Sequence, residues 1–299
     1  MDAASPSDDL EREGPQDPPE IALTQWVGRR QTRTGCVPAT LAQSIHATLA
    51  RPEHSCPDAG DPMPALWHWY AFAPNVTTDA LSEDGHPPRG GFLPPVPFER
   101  RMWAGGRLQI LGDLRVGEEI EKRSVITSVE EMRGSTSDMV FVVVDHELHG
   151  AAGLAVRETQ SIVYLPIPDT FAPPAKKPGP TEDLVVDEVR HISTPLLFRY
   201  SAITFNAHRI HYDLPYAQQV EKYPGLVVHG PLQAQLLMTA ATAWKGRRPD
   251  QFTFRGVHPM FHDSDLRLRA TLSETGALKM CTMAEAGHRG MDATAQWEV

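Results

Sequence analysis

"HGPLQAQLLMTAATAW", residues 229–244, decides how this chain folds. Pro231 suits a first helical turn, and Leu232, Leu236, Leu237, Ala240 and Ala243 form a broad apolar face at helical spacing. Four β-type segments follow: "QFTFRGVHPMF" (251–261), "DLRLRATL" (265–272), "ALKMCTMAEA" (277–286) and "MDATAQWEV" (291–299). Such a helix cannot stay in water, and a curved antiparallel sheet wrapped around it is the economical burial.

The first half repeats the theme. "PATLAQSIHATLA" (38–50) places Leu41, Ile45 and Leu49 on one helical face. After it come "RLQIL" (107–111), "RSVITSVEE" (123–131), "MVFVVVDHEL" (139–148) and "AVRETQSIVYL" (155–165), rich in β-branched residues. The proline-rich "PIPDTFAPPAKKPGP" (166–180) has no periodicity and marks a boundary. The expectation is an α+β chain of two similar units, 21–165 and 183–299, joined by a linker over 166–182. Asp183–Val189 is read as one more strand, opening the second unit. Residues 51–106, with "LWHWYAF" (66–72), are too aromatic for a flexible linker. They are expected as an ordered excursion packed on the surface or covering a pocket, with Trp67, Trp69 and Trp103 as core.

Of the 299 residues 41% are hydrophobic and 22% charged, an ordinary globular composition. Residues 1–20 hold seven carboxylates and one arginine, more than half of the formal net charge of −10. That segment is expected to be a disordered acidic tail. Its charge is opposite to that of a targeting leader, and no run nears the roughly 18 apolar residues of a membrane span. The expected address is the cytoplasm, with no membrane partner. An acidic chain is also a poor binder of nucleic-acid backbones. Cys36, Cys56 and Cys281 form no CxxC pair, which fits a reduced compartment.

Chemistry concentrates in "YSAITFNAHRIHYD" (200–213), where Asn206, His208, Arg209 and His211 crowd together. The apolar "LLFRYSAIT" before it is expected as the strand of a strand–turn, and "YDLPYA" after it as the start of a short helix. The cluster has three readings. One is a hydrogen-bonded turn near a helix start. Another is a metal site, HxxH with His229 as third ligand, which lacks an acidic or cysteine partner. The third is acid/base catalysis, since an imidazole exchanges protons near neutrality and an amide can orient a water. Gly230 strengthens the third reading. It lets a ligand approach the start of the 229–244 helix, where free N–H groups favour developing negative charge. A base beside an oxyanion-binding helix end suits enolate chemistry on a thioester.

These features together resemble the hotdog fold, and more narrowly the MaoC-like (R)-specific enoyl-thioester hydratases and dehydratases. That family's motif is S-A-L-[ST]-G-D-x-N-P-[LI]-H. Ser201, Ala202, Ile203 and Thr204 match it, and the family's catalytic histidine falls on His211. Its aspartate falls on Asn206 and its asparagine on His208. "FNAHRIHYD" (205–213), with its asparagine, resembles one distinct branch of two-hotdog proteins, and "PALWHWYAF", "DGHPPRGGFLPPVPFERRMWAGGRL" and "LRVGEEI" are similar to the same branch. That branch holds mesaconyl-C4-CoA hydratases, itaconyl-CoA hydratases and type 2 hydroxyacyl-thioester dehydratases.

The resemblance implies a double hotdog, with a degenerate first unit that widens the acyl pocket and a catalytic second unit. It implies an acyl-CoA thioester substrate, with a C5 dicarboxylic acyl group or a generic 3-hydroxyacyl chain, and neither cofactor nor metal. His211 would be the proton carrier, Asn206 would position water, and Gly230 would hold the oxyanion. Arg209, His208 and His229 would contact substrate. A thioesterase and a non-catalytic acyl-CoA binder remain the rival functions, although the 229–244 helix has no Asp or Glu to serve a thioesterase. Two units in one chain already make one hotdog pair, and a further homodimer is left open.

Overall fold

The computed structural model describes residues 22–49, 55–133 and 138–298. The acidic segment 1–20 lies outside the described residues. The first half runs β1 (Arg30–Gly35), α1 (Ala39–Leu49), β2 (Arg100–Ile110), β3 (Ile120–Met132), β4 (Met139–Gly150) and β5 (Gly153–Leu165). The second runs β6 (Leu184–Arg190), α2 (Thr194–Ile203), α3 (Leu214–Gln219), α4 (Gly230–Lys245), β7 (Gln251–Gly256), β8 (Leu266–Leu272), β9 (Leu278–Ala284) and β10 (Arg289–Gln296).

These strands form a single sheet in the order β1-β3-β4-β5-β2-β7-β10-β9-β8-β6. Each half follows one scheme: its first strand at the outer edge, then its third, fourth and fifth, and its second strand inward. The two inner strands, β2 and β7, pair antiparallel, with Gly105 opposite Arg255 and Leu108 opposite Phe252. Gly105 is required at that seam. A Cβ there would come within 2.5 Å of the Phe254 carbonyl oxygen, so a side chain would force the two units apart.

α4 fills the concave face of its own half. Leu232, Ala234, Leu236, Leu237, Met238, Ala240 and Ala241 are all buried, so the helix is apolar on nearly every side. Its two buried polar residues are paired: Gln233 Oε1 accepts from Thr282 Oγ1 at 2.6 Å, and Gln235 Nε2 donates to the Ala65 carbonyl at 3.2 Å.

α1 has only 11 residues, about 16 Å of helix, under strands of 12 and 13 residues that run about 40 Å. The uncovered remainder is filled by the excursion and the N-terminal segment. Val96 and Leu23 are buried against Ile126, Val140, Val142, Ile162 and Tyr164, with Phe92, Leu93 and Phe98 packed beside them. Leu66, Trp67, Tyr70 and Phe72 enter the main core. The excursion is therefore a structural layer and not a surface addition. Its last residues, Arg100–Gly106, already belong to β2, so it is shorter than the expected 51–106.

Two other expectations change. "RRQTRTG" contributes β1, an exposed edge strand whose polar sequence gave no alternation to read. "LLFRYSAIT" is helical, not a strand: Ser193 Oγ accepts from Leu196 N at 3.3 Å as an N-cap, and Pro195 sits in the first turn. Among the described residues no helix is long and apolar enough to cross a membrane.

Candidate active site

α2 ends at Ile203, and the chain turns sharply through Phe205, which has a left-handed φ of 50°. Asn206 then folds its side chain back on its own loop, Oδ1 accepting from the His208 N–H at 3.0 Å. One 3-10 turn, Arg209–His211, follows, and Asp213 caps α3. This succession of caps aims His208 and His211 inward, where both are buried.

His211 Nδ1 lies 2.8 Å from the Val227 carbonyl, which can only accept. The proton therefore sits on Nδ1, and Nε2 carries the lone pair. The ring stacks on His229, centroids 3.6 Å apart and planes 18° apart. His229 Nε2 in turn bonds Ser201 Oγ at 2.9 Å. Burial, then the neighbouring His229 and His208, push His211 well below the usual imidazole range. Burial, then His208, brings His229 down to about 3. Both rings are neutral at pH 7.

His229 is also the N-cap position of α4, yet no side chain caps the helix. The first N–H groups of α4 therefore point out beside His211 with no i−4 carbonyl to bond. A Cβ on Gly230 would be 3.7 Å from the Trp103 carbonyl, an ordinary contact. The protein itself does not demand glycine there, and the nearest neighbour, Trp103, belongs to β2 of the first unit.

The remaining sequence-selected residue behaves differently. Arg209 holds Asp213 through Nε at 3.0 Å and Nη2 at 2.8 Å, and its guanidinium lies 3.9 Å over the Tyr216 ring. Its Nη1 donates to the Glu83 carbonyl at 3.2 Å. The side chain is committed to fixing the loop.

Three residues that sequence reasoning passed over join the cluster. Arg209 N–H donates to the Asp84 carbonyl at 2.9 Å, and Gly85, at φ 88°, is pressed so closely on the Ala207 carbonyl that a side chain would collide. The segment from the first unit thus docks on the loop of the second. There His86 Nδ1 donates to Asp84 Oδ2 at 2.7 Å, and its ring lies on His208 with centroids 4.0 Å apart. On another side of His208 stands Glu221, 1% exposed, its Oε1 3.9 Å from His208 Nε2. Its other oxygen is held by Arg100 Nε at 2.8 Å. His208 Nε2 and Glu221 Oε1 are buried without a hydrogen-bond partner. Burial alone would raise the Asp84 carboxyl, but the bonds and charge of His86 hold it well below the usual range. Burial lowers His86 to about 4 against the opposing pull of Asp84. "DGH" stood in the quoted motif, but nothing in the sequence announces a contact across more than 120 positions.

The side-chain donors of Asp84, His86 and His208 all lie within 4.8 Å of one another, the spacing of a metal cluster. His86 Nδ1 is already engaged by Asp84, and the two rings overlap instead of converging on a point. The HxxH set of His208, His211 and His229, one of the three readings of the cluster, converges no better, because His211 and His229 lie face to face.

Comparison with known proteins places the chain in a family. Residues 66–262 match the family described as hydroxyacyl-thioester dehydratase type 2. The chain is 42% identical over 250 residues to the mesaconyl-C(4)-CoA hydratase of Chloroflexus aurantiacus, covering 82% of this chain and 87% of that one. It is 26% identical over 239 residues to the mitochondrial hydroxyacyl-thioester dehydratase type 2 of Schizosaccharomyces pombe, covering 71% and 78%. A solved MaoC-like dehydratase superposes with a TM-score of 0.68 at 15% identity, over 93% of this chain and all (100%) of the other. A Mycobacterium tuberculosis protein described as a double hotdog gives 0.59 at 12% identity, over 90% and 95%. The chain has the double hotdog architecture and belongs to the type 2 hydroxyacyl-thioester dehydratase family of hydro-lyases.

Proposed function

We propose that this protein adds water reversibly across the double bond of a short enoyl-CoA thioester, with a C5 dicarboxylic acyl group of the mesaconyl-C4-CoA type as substrate. One observation carries the reaction class. His211 is buried and neutral, its Nδ1–H is committed to Val227, its Nε2 keeps the lone pair, and its ring stacks on His229 at the N-cap position of the uncapped α4. The identity to the Chloroflexus enzyme supports the acyl group.

In the hydration direction His211 Nε2 takes a proton from water as the water oxygen bonds to the β-carbon. The π electrons of the double bond move toward the thioester, whose oxygen becomes enolate-like and is met by the Gly230 N–H. Pro231 has no N–H, so a second donor must come from elsewhere. The proton on His211 then passes to the α-carbon and restores the neutral ring. Asn206 Oδ1 is occupied by the His208 N–H, which leaves its amide NH2 to orient water. Arg209, tied to Asp213, is part of the loop's frame in this scheme and not the anchor of a distal carboxylate.

The test is a panel of crotonyl-, mesaconyl-C4- and itaconyl-CoA, followed by loss of the enoyl absorbance and by thiol release. Wild type should hydrate the dicarboxylic thioesters fastest and release no free coenzyme A. His211→Ala should lower kcat by about 10²–10⁴-fold with the fold retained. Thiol release without hydration would make the protein a thioesterase. Tight binding with no turnover would make it an acyl-CoA carrier, and an active His211→Ala would remove that residue from the mechanism.

A further inference from the structure

The only acid-derived side chain of the 204–211 loop is an amide, Asn206, which can neither hold charge nor support a charged neighbour. The structure brings two other carboxylates to the same place. We propose that Asp84 and His86, delivered by the first unit, act with Glu221 as positioning residues for the catalytic loop of the second. They would fix His208 beside His211 and supply the negative charge that the Asn206 amide cannot carry. The inference rests on the reading of His211 as the proton carrier.

The geometry is continuous. Asp84 Oδ1 accepts from the His86 backbone N–H at 2.9 Å and Oδ2 from Nδ1 at 2.7 Å, so both the position and the tautomer of His86 are set. His86 Nε2 is left with the lone pair. The His86 ring covers His208 at 4.0 Å, and the edge of His208 meets the His211 ring at 5.3 Å and 88°. Glu221 stands 3.9 Å from His208 Nε2 with one oxygen unpaired. The docking is enforced by backbone as well, since Gly85 lies against the Ala207 carbonyl and Arg209 N–H bonds the Asp84 carbonyl. A first unit that only widened the pocket would need none of these contacts.

Asp84→Asn tests the idea with little change of shape. Asparagine has one acceptor oxygen where aspartate has two, so one of the two His86 bonds must reverse and the ring is driven to the other tautomer. Expected is a fall in kcat of about 10- to 100-fold with KM within about twofold, the usual scale for residues that orient others. Glu83→Gln removes the same charge from an exposed neighbouring side chain and should change neither constant. His86→Ala should be impaired similarly and regain rate with added imidazole. The Nδ1–H resonance of His86, observed by NMR without substrate, should be present in the wild type and absent in Asp84→Asn. An active wild type with an unimpaired Asp84→Asn, a failure of imidazole to rescue, or no His86 Nδ1–H signal would overturn the positioning role. A chelator-sensitive rate restored by zinc would overturn it too, in favour of a metal on the same three residues. Inactivity of the wild type on every thioester, with the resonance intact, would instead sink the reading of His211.

Discussion

Acidification offers a direct check on whether the histidine cluster is neutral, which base catalysis by His211 requires. Burial lowers His86 to about 4 and His229 to about 3. An unfolded histidine titrates near 6.5. The folded values are depressed, so between them and about 6.5 the unfolded chain binds more protons than the folded one. Stability is then complete above about pH 6.5 and lost as the pH falls. For one group with these values, the change from pH 7 to pH 5 costs about 2 kcal/mol. His86 and His229 together give about 4 kcal/mol, and His211, held down by the same burial, acts in the same direction. That is a large part of the ~5–15 kcal/mol that holds a typical domain together. Urea unfolding at the two pH values measures the difference, with ΔG extrapolated to water. His229→Gln should lose about 2 kcal/mol less than wild type between pH 7 and 5, whatever its stability at pH 7. A wild-type loss under about 1 kcal/mol, or an unchanged loss in His229→Gln, would mean that the folded cluster already carries these protons.

Two further substitutions separate site from scaffold. Gly230→Ala should fold normally, because the new Cβ is 3.7 Å from its nearest protein atom, yet kcat should drop at least about tenfold as the methyl blocks the thioester from the helix end; thermal denaturation and steady-state rates read the two effects. Gly105→Ala should behave in the opposite sense. Its Cβ meets a backbone oxygen at 2.5 Å that cannot yield, so the β2–β7 seam should open and the unfolding midpoint fall by several degrees.

The sequence was legible where a single segment decides its own structure. α4, α1, α3, β8 and β9 carry local signals and lie within a residue or two of the expected bounds, whereas β7 stops at Gly256 where the expected segment ran to 261, and β10 spans Arg289–Gln296 where 291–299 was expected. α2 was misread because its apolar, aromatic "LLFRYSAI" suits a strand equally well, and the deciding signals, the Ser193 cap and Pro195, stand at its start. Among the site residues, His208, His211, His229, Asn206 and Gly230 are indeed gathered at one place. Arg209 is there too, but its charge is spent on Asp213. Asp84, His86, Arg100 and Glu221 could not be placed from sequence. Arg100 and Glu221 are 121 positions apart, and only the folding of one unit against the other brings them together.

That separation bears on what the first unit is for. Arg100 is the partner of buried Glu221, Ala65 takes the Gln235 amide from α4, and Asp84 receives the Arg209 N–H. Each of these contacts leaves a first-unit residue and ends on the loops or helix that carry the second unit's chemistry. Replacing Arg100 alone would strand a carboxylate that is 1% exposed, a loss of about 3–5 kcal/mol, and removing the whole first unit would take that partner away. It would also uncover His208. The helix that a hotdog unit normally buries is short in the first half, and the chain released from covering it, residues 55–99, is the chain that reaches across. The short α1 of the first unit and the docking of its 55–99 segment on the 204–211 loop of the second are thus two sides of one arrangement.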